Sequence, residues 1–471
     1  MNKWFLVLLL TAAGVLAVQT EETQKMVWKD VAARVQNHEA VRQALIVKNL
    51  RAQNLLAETG WQGPKINLTP SVQYSDPDNT LIHTQTTLGA DLVIPLGATE
   101  AEKEKKIQAR EAFDLGDTEL KEAYGRAYLE LFNLYTAAYL AQETVSLTAA
   151  EAELARLKAD NARQKVSQGL LPLSDQTDAE SEYQAAAEKL IQSHLDLRMA
   201  WLNLAYAADL EAPRGGMMRS ARIPSADPVG DIPRFEYPEV DGFIQGAPPP
   251  GQLMTLARTN SAAVEAQKQK LDRARREISY LSTVELDFLP KLSYTTPDFS
   301  VSLGYNTANT SVTASSSWNI YKNDKLTGGG SQPPDHSFIL SMGISAAISG
   351  VGESERRALE EAAALEERRL LYLEQSLDLQ IRAKYAAYLK ARDSVAEAER
   401  AEKATRESAM VVQARGRIGQ LSPEDEAANE VLLARTAFNL QKARLGLSQA
   451  YLGMIGSANA WDLIGQSFEA K

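Results

Sequence analysis

The side chains that most often carry out catalysis or bind metals are sparse in this sequence of 471 residues. There is no cysteine, and the four histidines, at positions 38, 83, 194 and 336, lack the spacing of metal ligands. Gly328-Gly329-Gly330 lies in a Ser/Thr/Pro-rich stretch, whereas a phosphate-binding loop lies between a strand and a helix. We therefore predict a protein that is not an enzyme and that holds no metal and no cofactor.

The more informative polar residues are carboxylates that follow two glycines. Asp175 and Asp178 come shortly after Gly169, and Asp425 comes shortly after Gly419. Glycine accepts the positive φ that commonly ends a helix. Acidic side chains near a helix N-terminus are stabilising by about 0.3–1 kcal/mol. The simplest interpretation is that each glycine ends one helix and that the carboxylates stabilise the beginning of the next.

Long helical segments flank both glycines. The helical pattern is unbroken from about residue 98 to residue 166, and its apolar residues recur at steps of four and three, as in a coiled coil. A shorter helix over 174–210 follows Gly169. Residues 353–415 and 423–453 repeat the long and the short helix. The first long helix alone would extend about 100 Å.

Four sequence markers occur twice and in the same order, which predicts an internal duplication. The pairs are Asn37-His38-Glu39-Ala40-Val41 with Asn260-Ser261-Ala262-Ala263-Val264, Pro64-Lys65-Ile66 with Pro290-Lys291-Leu292, Leu88-Gly89 with Met342-Gly343, and the two glycine turns. The second copy is longer than the first. Its additional residues fall around 306–334, where we expect a loop to absorb them at little entropic cost.

Alternating apolar and polar residues predict one β-hairpin in each copy, at 65–96 and at 291–349. In the first hairpin, residues 65–75 and 82–94 carry apolar side chains at even positions. In the second, residues 299–305 and 337–348 alternate in the same manner. Alternation over about ten residues suits a transmembrane strand, but any half-buried antiparallel strand shows it as well.

The remaining segments are a leader, a connector and a tail. Residues 1–17 combine one lysine, a short apolar run and small residues at the end, which is typical of a secretory signal peptide. An N-terminal membrane anchor is the alternative, although the run is short for a span of about 20 residues. Residues 213–252 hold 8 of the 18 prolines, so we predict a connector there. Residues 457–471 form the tail.

Composition and charge narrow the function further. Aromatic residues make up only 7% of the chain, so the apolar content is mostly Ala and Leu, as expected of long helices packed through small side chains. The 50 basic and 61 acidic residues give a net charge of −11, which argues against nucleic acid as a partner.

The order of helix, hairpin, long helix, turn and helix, repeated after a proline-rich connector, resembles the TolC family of outer-membrane efflux proteins. The resemblance covers nearly the whole chain after the leader. Its most specific matches are the two turns, Gln168-Gly169-Leu170-Leu171-Pro172 with Asp175 and Ile418-Gly419-Gln420-Leu421-Ser422 with Asp425. The family's Pro-Leu-Phe-Asp-Gly-Gly segment after each return strand is present only in part, as Pro95-Leu96 and as Ser349-Gly350-Val351-Gly352.

The resemblance implies a mainly α fold with transmembrane β-structure. Four strands from each chain of a homotrimer would form one shared twelve-stranded outer-membrane β-barrel, and the helices would form a long coiled-coil α-barrel that extends into the periplasm. Residues 18–212 would form the first repeat, 213–252 the linker and 253–456 the second repeat. The implied function is the passive exit duct of a tripartite efflux pump or type I secretion system. The implied partners are a periplasmic adaptor, an inner-membrane transporter and outer-membrane lipid.

The resemblance also assigns roles to residues at the two turns. The residues that would contact the adaptor are Gly169, Leu170, Leu171, Gly419, Gln420 and Leu421. The residues that would form a periplasmic gate are Asp175, Asp178, Arg415, Arg417 and Asp425. The arginines would hold the gate shut by tethering neighbouring helices through the carboxylates. A second family aspartate would fall at Ala428, so its charge is missing or has moved to Glu424 or Asn429.

A second class of function is compatible with the long helices. A secreted periplasmic coiled-coil adaptor or scaffold without its own pore would need the same helical stripes. Such adaptors normally carry a compact β-domain between their helical arms, and the sequence predicts none. The duplicated alternating hairpin is the feature that favours a channel over a scaffold.

Overall fold

Helices account for most of the chain in a computed structural model. It describes residues 25–60, 63–75, 83–95, 100–210, 232–238, 247–280, 285–296, 299–306, 311–322, 337–347, 353–417 and 421–464. The helices are α1 (Trp28–Ala32), α2 (Glu39–Thr59), α3 (Glu100–Ser167), α4 (Leu173–Ala207), α5 (Pro250–Asn260), α6 (Ala262–Tyr280), α7 (Glu353–Arg417) and α8 (Pro423–Ser457), with 3-10 turns at Val35–Asn37 and Trp461–Ile464. The strands are β1 (Lys25–Met26), β2 (Lys65–Ser75), β3 (His83–Pro95), β4 (Arg234–Phe235), β5 (Glu285–Thr295), β6 (Phe299–Asn306), β7 (Ser311–Lys322) and β8 (Ser337–Ala347).

The four long helices predicted from the sequence are confirmed. They are α3 and α4 on either side of Gly169, and α7 and α8 in the second half, and their ends differ from the expected ones by a few residues. The order of a helix, strands, a long helix and a shorter helix thus occurs twice. The fold class, long helices combined with strands, is confirmed as well.

The chain divides into two compact units. The helical unit comprises the described residues within Met1–Leu45, Thr118–Ser261 and Glu374–Lys471, and the sheet unit comprises those within Ile46–Asp117 and Ala262–Leu373. In the sheet unit, α6 packs beside α3 through Arg276, whose guanidinium group binds both oxygens of Glu104, at 3.1 and 3.2 Å, and Glu111 at 2.9 Å.

Several aromatic rings gather in the core of the helical unit. Trp28 of α1 lies edge-on to Tyr128 and Phe132 of α3, with ring centroids 5.2 and 5.1 Å apart. Tyr135, further along the same face of α3, contacts Phe235 of β4 at 5.7 Å. Edge-to-face aromatic pairs of this kind contribute about 0.5–1.5 kcal/mol beyond the apolar area they bury.

A short parallel ladder joins the first described residues to the connector. Lys25 pairs with Arg234, and Met26 pairs with Phe235. The Tyr135 hydroxyl donates to this ladder, because it lies 2.9 Å from the Met26 carbonyl and 2.7 Å from the Glu236 carbonyl. Burial raises the pKa of Tyr135, so the hydroxyl remains a donor at any physiological pH. The connector therefore contains a short strand of its own, while residues 211–231 and 239–246 of it lie outside the described residues.

The 3-10 turn after α8 brings Trp461 back onto the helical core. Its ring lies 5.6 Å from that of Tyr128. Gly125 of α3 leaves room for the indole, since a Cβ atom on this glycine would stand 2.0 Å from the indole nitrogen. Gly456 of α8 does the same on the other side, where a Cβ would lie 3.0 Å from the ring.

All six long strands form one antiparallel sheet in the order β2-β3-β7-β6-β5-β8. The predicted first hairpin is confirmed, because β2 pairs with β3 from Lys65↔Val93 to Ser75↔His83. In the second copy, the two predicted strands are present as β6 and β8. They do not pair with each other, since β8 pairs with β5 and β6 lies between β5 and β7.

The prediction of four strands per chain was therefore too low, and the 306–334 insertion is not simply a loop. β7 was missed because four of its 12 residues are serines, which weaken the apolar alternation. β5 was missed because Pro290 lies within it, and proline usually ends a strand. The β5–β6 ladder begins at Lys291, one residue after the proline, so no backbone donor is required from Pro290 on that side.

Among the described residues, no helix is long and apolar enough to cross a membrane. The predicted signal peptide, residues 1–17, lies outside the described residues.

The packing of Trp461 gives a stability prediction. Gly125→Ala should lower the free energy of unfolding by about 1–3 kcal/mol, because the new methyl group displaces the indole from a filled core. Gly446→Ala is the matched control in α8, since a Cβ at Gly446 meets no atom within 4 Å and alanine favours a helix. Thermal unfolding followed by far-UV circular dichroism measures both. Equal melting temperatures for the two variants would contradict the assigned role of Gly125.

Candidate functional site

The first glycine turn has the geometry that the sequence predicts. Gly169 has a φ of 70°, in the left-handed region that favours glycine. The Gly169 amide donates to the Val166 carbonyl and the Leu170 amide donates to the Lys165 carbonyl, both at 2.9 Å. This pair of bonds is a Schellman motif, which satisfies two carbonyls at the end of α3. Pro172 then starts α4.

Two apolar side chains of this turn are exposed. Leu170 and Leu173 each show 68% of their surface, whereas Leu171 is half-buried. Asp175 and Asp178 are exposed on the first turns of α4. Arg163 of α3 binds Glu180 of α4 at 3.0 Å and so joins the two helices close to the turn. Exposed leucines at a fixed helical turn are suited to contact another protein.

The second turn is described in part. Gly419 and Gln420 lie outside the described residues, as does the side chain of Arg417, the last residue of α7. Leu421 is half-buried. Ser422 caps α8 with its hydroxyl, which accepts from the Asp425 amide at 3.1 Å, and the Asp425 carboxylate lies 2.7 Å from the same hydroxyl. Asp425 thus stabilises its own helix, as the simplest sequence interpretation predicts.

The structure describes the side chains of four of the five predicted gate residues, all except that of Arg417. In the described part of the chain, the exposed Arg415 forms no ion pair with Asp175, Asp178 or Asp425. Glu424, the alternative position for the missing acidic residue, accepts a hydrogen bond at 2.8 Å from Asn161 of α3.

Sequence reasoning missed a residue that joins helices of the two halves. Glu151 of α3 accepts from Lys189 of α4 at one oxygen and from Arg435 of α8 at the other, both at 2.7 Å. Its carboxylate is only 16% exposed. Nearby, the hydroxyls of Thr148 and Ser193 are 2.9 Å apart in a buried contact between α3 and α4. No local sequence signal distinguishes Glu151 from the many other carboxylates on α3.

The electrostatics of Glu151 follow from its two partners. Partial burial by itself would raise the pKa of the carboxyl group, but the hydrogen bonds and charges of Lys189 and Arg435 outweigh burial. The pKa of Glu151 is therefore lower than usual, and the carboxylate is charged at neutral pH. This arrangement resists separation of α4 and α8 from α3 as long as the carboxylate keeps its charge.

The sheet has two chemically different faces, and residues paired across strands fall on the same face. We call the first one the apolar face. Its members with described side chains are Ile66, Leu68, Pro70, Leu88, Ala90, Leu92, Ile94, Pro290, Leu292, Tyr294, Phe299, Val301, Leu303, Tyr305, Val312, Ala314, Ser316 and Trp318. Ser316 is the one polar member among them. Leu68 is 67% and Leu303 51% exposed, so nothing in the described chain covers this face.

The opposite face is polar. Its members with described side chains are Lys65, Asn67, Thr69, Gly89, Asp91, Val93, Lys291, Ser293, Thr295, Ser300, Ser302, Gly304, Thr313, Ser315 and Ser317. The hydroxyls of Ser300 and Ser317 are hydrogen-bonded across strands at 2.7 Å. A single sheet with an exposed apolar face and a polar face matches the wall of a membrane pore.

Three rings gather at one end of the apolar face. Tyr294 and Phe299 have ring centroids 6.0 Å apart, and Trp318 is the cross-strand partner of Phe299. Tyrosine and tryptophan concentrate where a membrane meets water.

Two long helices also leave apolar stripes uncovered. On α4 the exposed residues follow steps of four, four, three and four, namely Ile191, Leu195, Met199, Leu202 and Tyr206. On α7 they recur every seventh residue, namely Leu365, Tyr372 and Leu379. These are coiled-coil spacings, and a coiled-coil stripe is buried only when another helix packs against it.

No group of three or more acidic or histidine residues that could hold a metal ion occurs among the described residues.

Comparison with solved structures shows the fold. The chain superimposes on the outer membrane channel CmeC of Campylobacter jejuni with a TM-score of 0.58 and 13% identity over 94% of this chain and 90% of that one. For the outer membrane protein VceC of Vibrio cholerae the TM-score is 0.59 and the identity 10%, over 92% and 96% of the two chains. For the open state of the outer membrane channel MtrE of Neisseria gonorrhoeae the TM-score is 0.57 and the identity 12%, over 92% of this chain and 88% of that one.

Sequence comparison adds no closer relative. No protein-family model matches the chain, and no curated protein sequence matches it. The chain thus shares its fold, over nearly its full length, with outer-membrane channels to which it is only 10–13% identical in sequence.

The contacts of Glu151 predict a pH-dependent stability. Because its pKa is lowered in the folded state, the contribution of Glu151 is present at neutral pH and is lost as the pH falls below about 4.5 through that lowered pKa. Glu151→Gln should lower the melting temperature by a few degrees at pH 7, consistent with ion pairs of about 0.2–1 kcal/mol each.

Glu153→Gln is the matched control for this prediction, because Glu153 is exposed and binds only Arg156 within α3. Melting temperatures of the three proteins, measured at neutral and at acidic pH, test the prediction. A Glu151→Gln protein as stable as the control at pH 7 would exclude the proposed link between helices.

Proposed function

We propose that the chain is a member of the TolC family and acts as a passive outer-membrane channel, the exit duct of a tripartite efflux pump or type I secretion system. The single observation that carries the proposal is the two-faced sheet within a fold shared with outer-membrane channels over nearly the whole chain. The protein would act without catalysis, with the sheet in the outer membrane and the helices in the periplasm.

The exposed apolar face supports a membrane location for the sheet. Water would contact Ile66, Leu68 and Leu303 on this face if the protein were soluble, at a cost of about 25 cal/mol for each Å² of apolar surface. Lipid chains remove that cost. The rings of Tyr294, Phe299 and Trp318 would then lie at the level of the headgroups, where aromatic side chains are enriched. Outer-membrane lipid is accordingly one partner.

The uncovered stripes support assembly with further copies of the same chain. Coiled-coil stripes on α4 and α7 need partner helices, and within one chain no described helix covers them. In a closed ring of copies, every stripe can be buried against a helix of a neighbouring copy, because each copy presents the same two surfaces to its neighbours. We propose a homotrimer, as the resemblance implies, in which the helices form a tube.

The two helical turns support docking to partners in the periplasm. Leu170 and Leu173 project from the first turn, and we propose that they contact a periplasmic adaptor which itself binds an inner-membrane transporter. Leu171, Leu421, Gly169, Gly419 and Gln420 would complete this surface. Asp175, Asp178, Arg415, Arg417 and Asp425 would form the gate between neighbouring copies.

Cell fractionation tests the proposal against the alternative of a periplasmic scaffold. A channel should remain with the outer membrane, require detergent for extraction and run as an SDS-resistant oligomer. Purified protein should also conduct ions across a planar lipid bilayer. Soluble monomers in the periplasmic fraction would overturn the proposal in favour of the scaffold.

The turn can be tested separately from the pore. Leu170→Asp combined with Leu173→Asp should weaken co-purification with the cell's periplasmic adaptor by about tenfold or more, as expected when exposed apolar anchors are lost. Gln184→Asp is the control, since it adds a charge at an exposed position of α4 far from the turn. Bilayer conductance should be unchanged in both variants. Equal adaptor recovery from both would refute the docking role of the turn.

A further inference from the structure

We infer that the β6–β7 hairpin belongs to the membrane wall, so that three copies close a barrel of eighteen strands and not of twelve. The inference rests on the proposed function, because it concerns the barrel that the proposed trimer forms. Its starting point is the order of the sheet, in which β6 and β7 separate β3 from β5. The residues that lengthen the second copy therefore widen the sheet.

The side chains of the hairpin match the faces of the strands beside it. On the β5 side, Leu303 pairs with Leu292 and Val301 pairs with Tyr294. The apolar residues are thus in phase. A hairpin projecting into water above the membrane would have no need for this match.

The β3 side shows the same phase. Trp318 pairs with Leu88, Ala314 with Leu92 and Val312 with Ile94. On the polar face, Ser315 pairs with Asp91 and Ser317 with Gly89. A shift of one residue would turn every apolar side chain of β7 to the polar face, so the observed register is the one that continues both faces.

The two edge strands show how the sheet closes. Among the described strands, β2 has only β3 as a neighbour and β8 has only β5. An unpaired strand edge cannot face lipid, because its backbone groups would lose their hydrogen bonds. Six strands that alternate in direction leave β2 and β8 running oppositely, so β8 of one copy can pair with β2 of the next in the same antiparallel manner.

The edges also agree in length. β2 and β8 each contain 11 residues, which suits a transmembrane strand. A single chain of six strands is too small to enclose a channel, whereas three copies give eighteen, a number found among water-filled porins. Because barrel diameter grows about linearly with strand number, the opening is about 1.5 times as wide as that of a twelve-stranded barrel.

Engineered cysteines test the wall directly, and the natural chain has none to interfere. Asp91→Cys with Ser315→Cys should form a disulfide within one chain on mild oxidation, because directly opposed residues of antiparallel strands are close enough for one. The matched control keeps the same first position, since Asp91→Cys with Asn67→Cys joins β2 to β3 in either kind of barrel.

A second pair set tests closure between copies. Thr69→Cys in β2 is combined in turn with Ser337→Cys, Ser341→Cys or Ser345→Cys in β8. At least one combination should give covalent dimers and trimers on non-reducing gels. Cross-linking confined to single chains in all three combinations would overturn the inference.

Electron cryo-microscopy of the detergent-extracted protein gives the strand count independently of any variant. Eighteen strands around three copies would support the inference. A conducting trimer with twelve strands, or a control disulfide without the Asp91–Ser315 one, would overturn it while leaving the proposed channel function intact. Soluble monomers without conductance would instead overturn the channel function.

Discussion

Backbone hydrogen bonding is the constraint on which the proposed location of the sheet in a lipid bilayer depends. A peptide group facing hydrocarbon must find its partner within the protein. The sheet meets this requirement between its strands but ends at β2 and β8, so in the proposed location the two edges need strands from further copies of the chain. The helices show a similar feature, because the apolar stripes of α4 and α7 are not covered by any described helix of the same chain.

Within one chain, charged and polar contacts connect helices of the two halves, while the apolar stripes on α4 and α7 stay exposed. Glu151 binds α4 and α8 at once, and Asn161 binds Glu424 at the start of α8. Such pairs are individually modest, since exposed ion pairs contribute about 1 kcal/mol or less. They add specific links between helices to the apolar packing of the core.

Local signals made much of this architecture predictable from the sequence. Gly169 ends a helix with a positive φ, and Ser422 with Asp425 caps the next helix, because these effects depend on a few adjacent residues. β7 was not predictable, because its serine-rich alternation becomes meaningful only beside β3 and β6. Glu151 was not predictable either, since its partners are distant in sequence and no local sequence signal distinguishes it from the other carboxylates on α3.

The packing of Trp461 and the pairing of β1 with β4 affect how the chain folds. Met26 pairs with Phe235, and Tyr128 in the first half packs against Trp461, almost at the end of the chain. A polypeptide emerges from its N-terminus, so the core of the first half remains open until the last helix has appeared. Long-range closure of this kind is slow and leaves apolar surface accessible meanwhile.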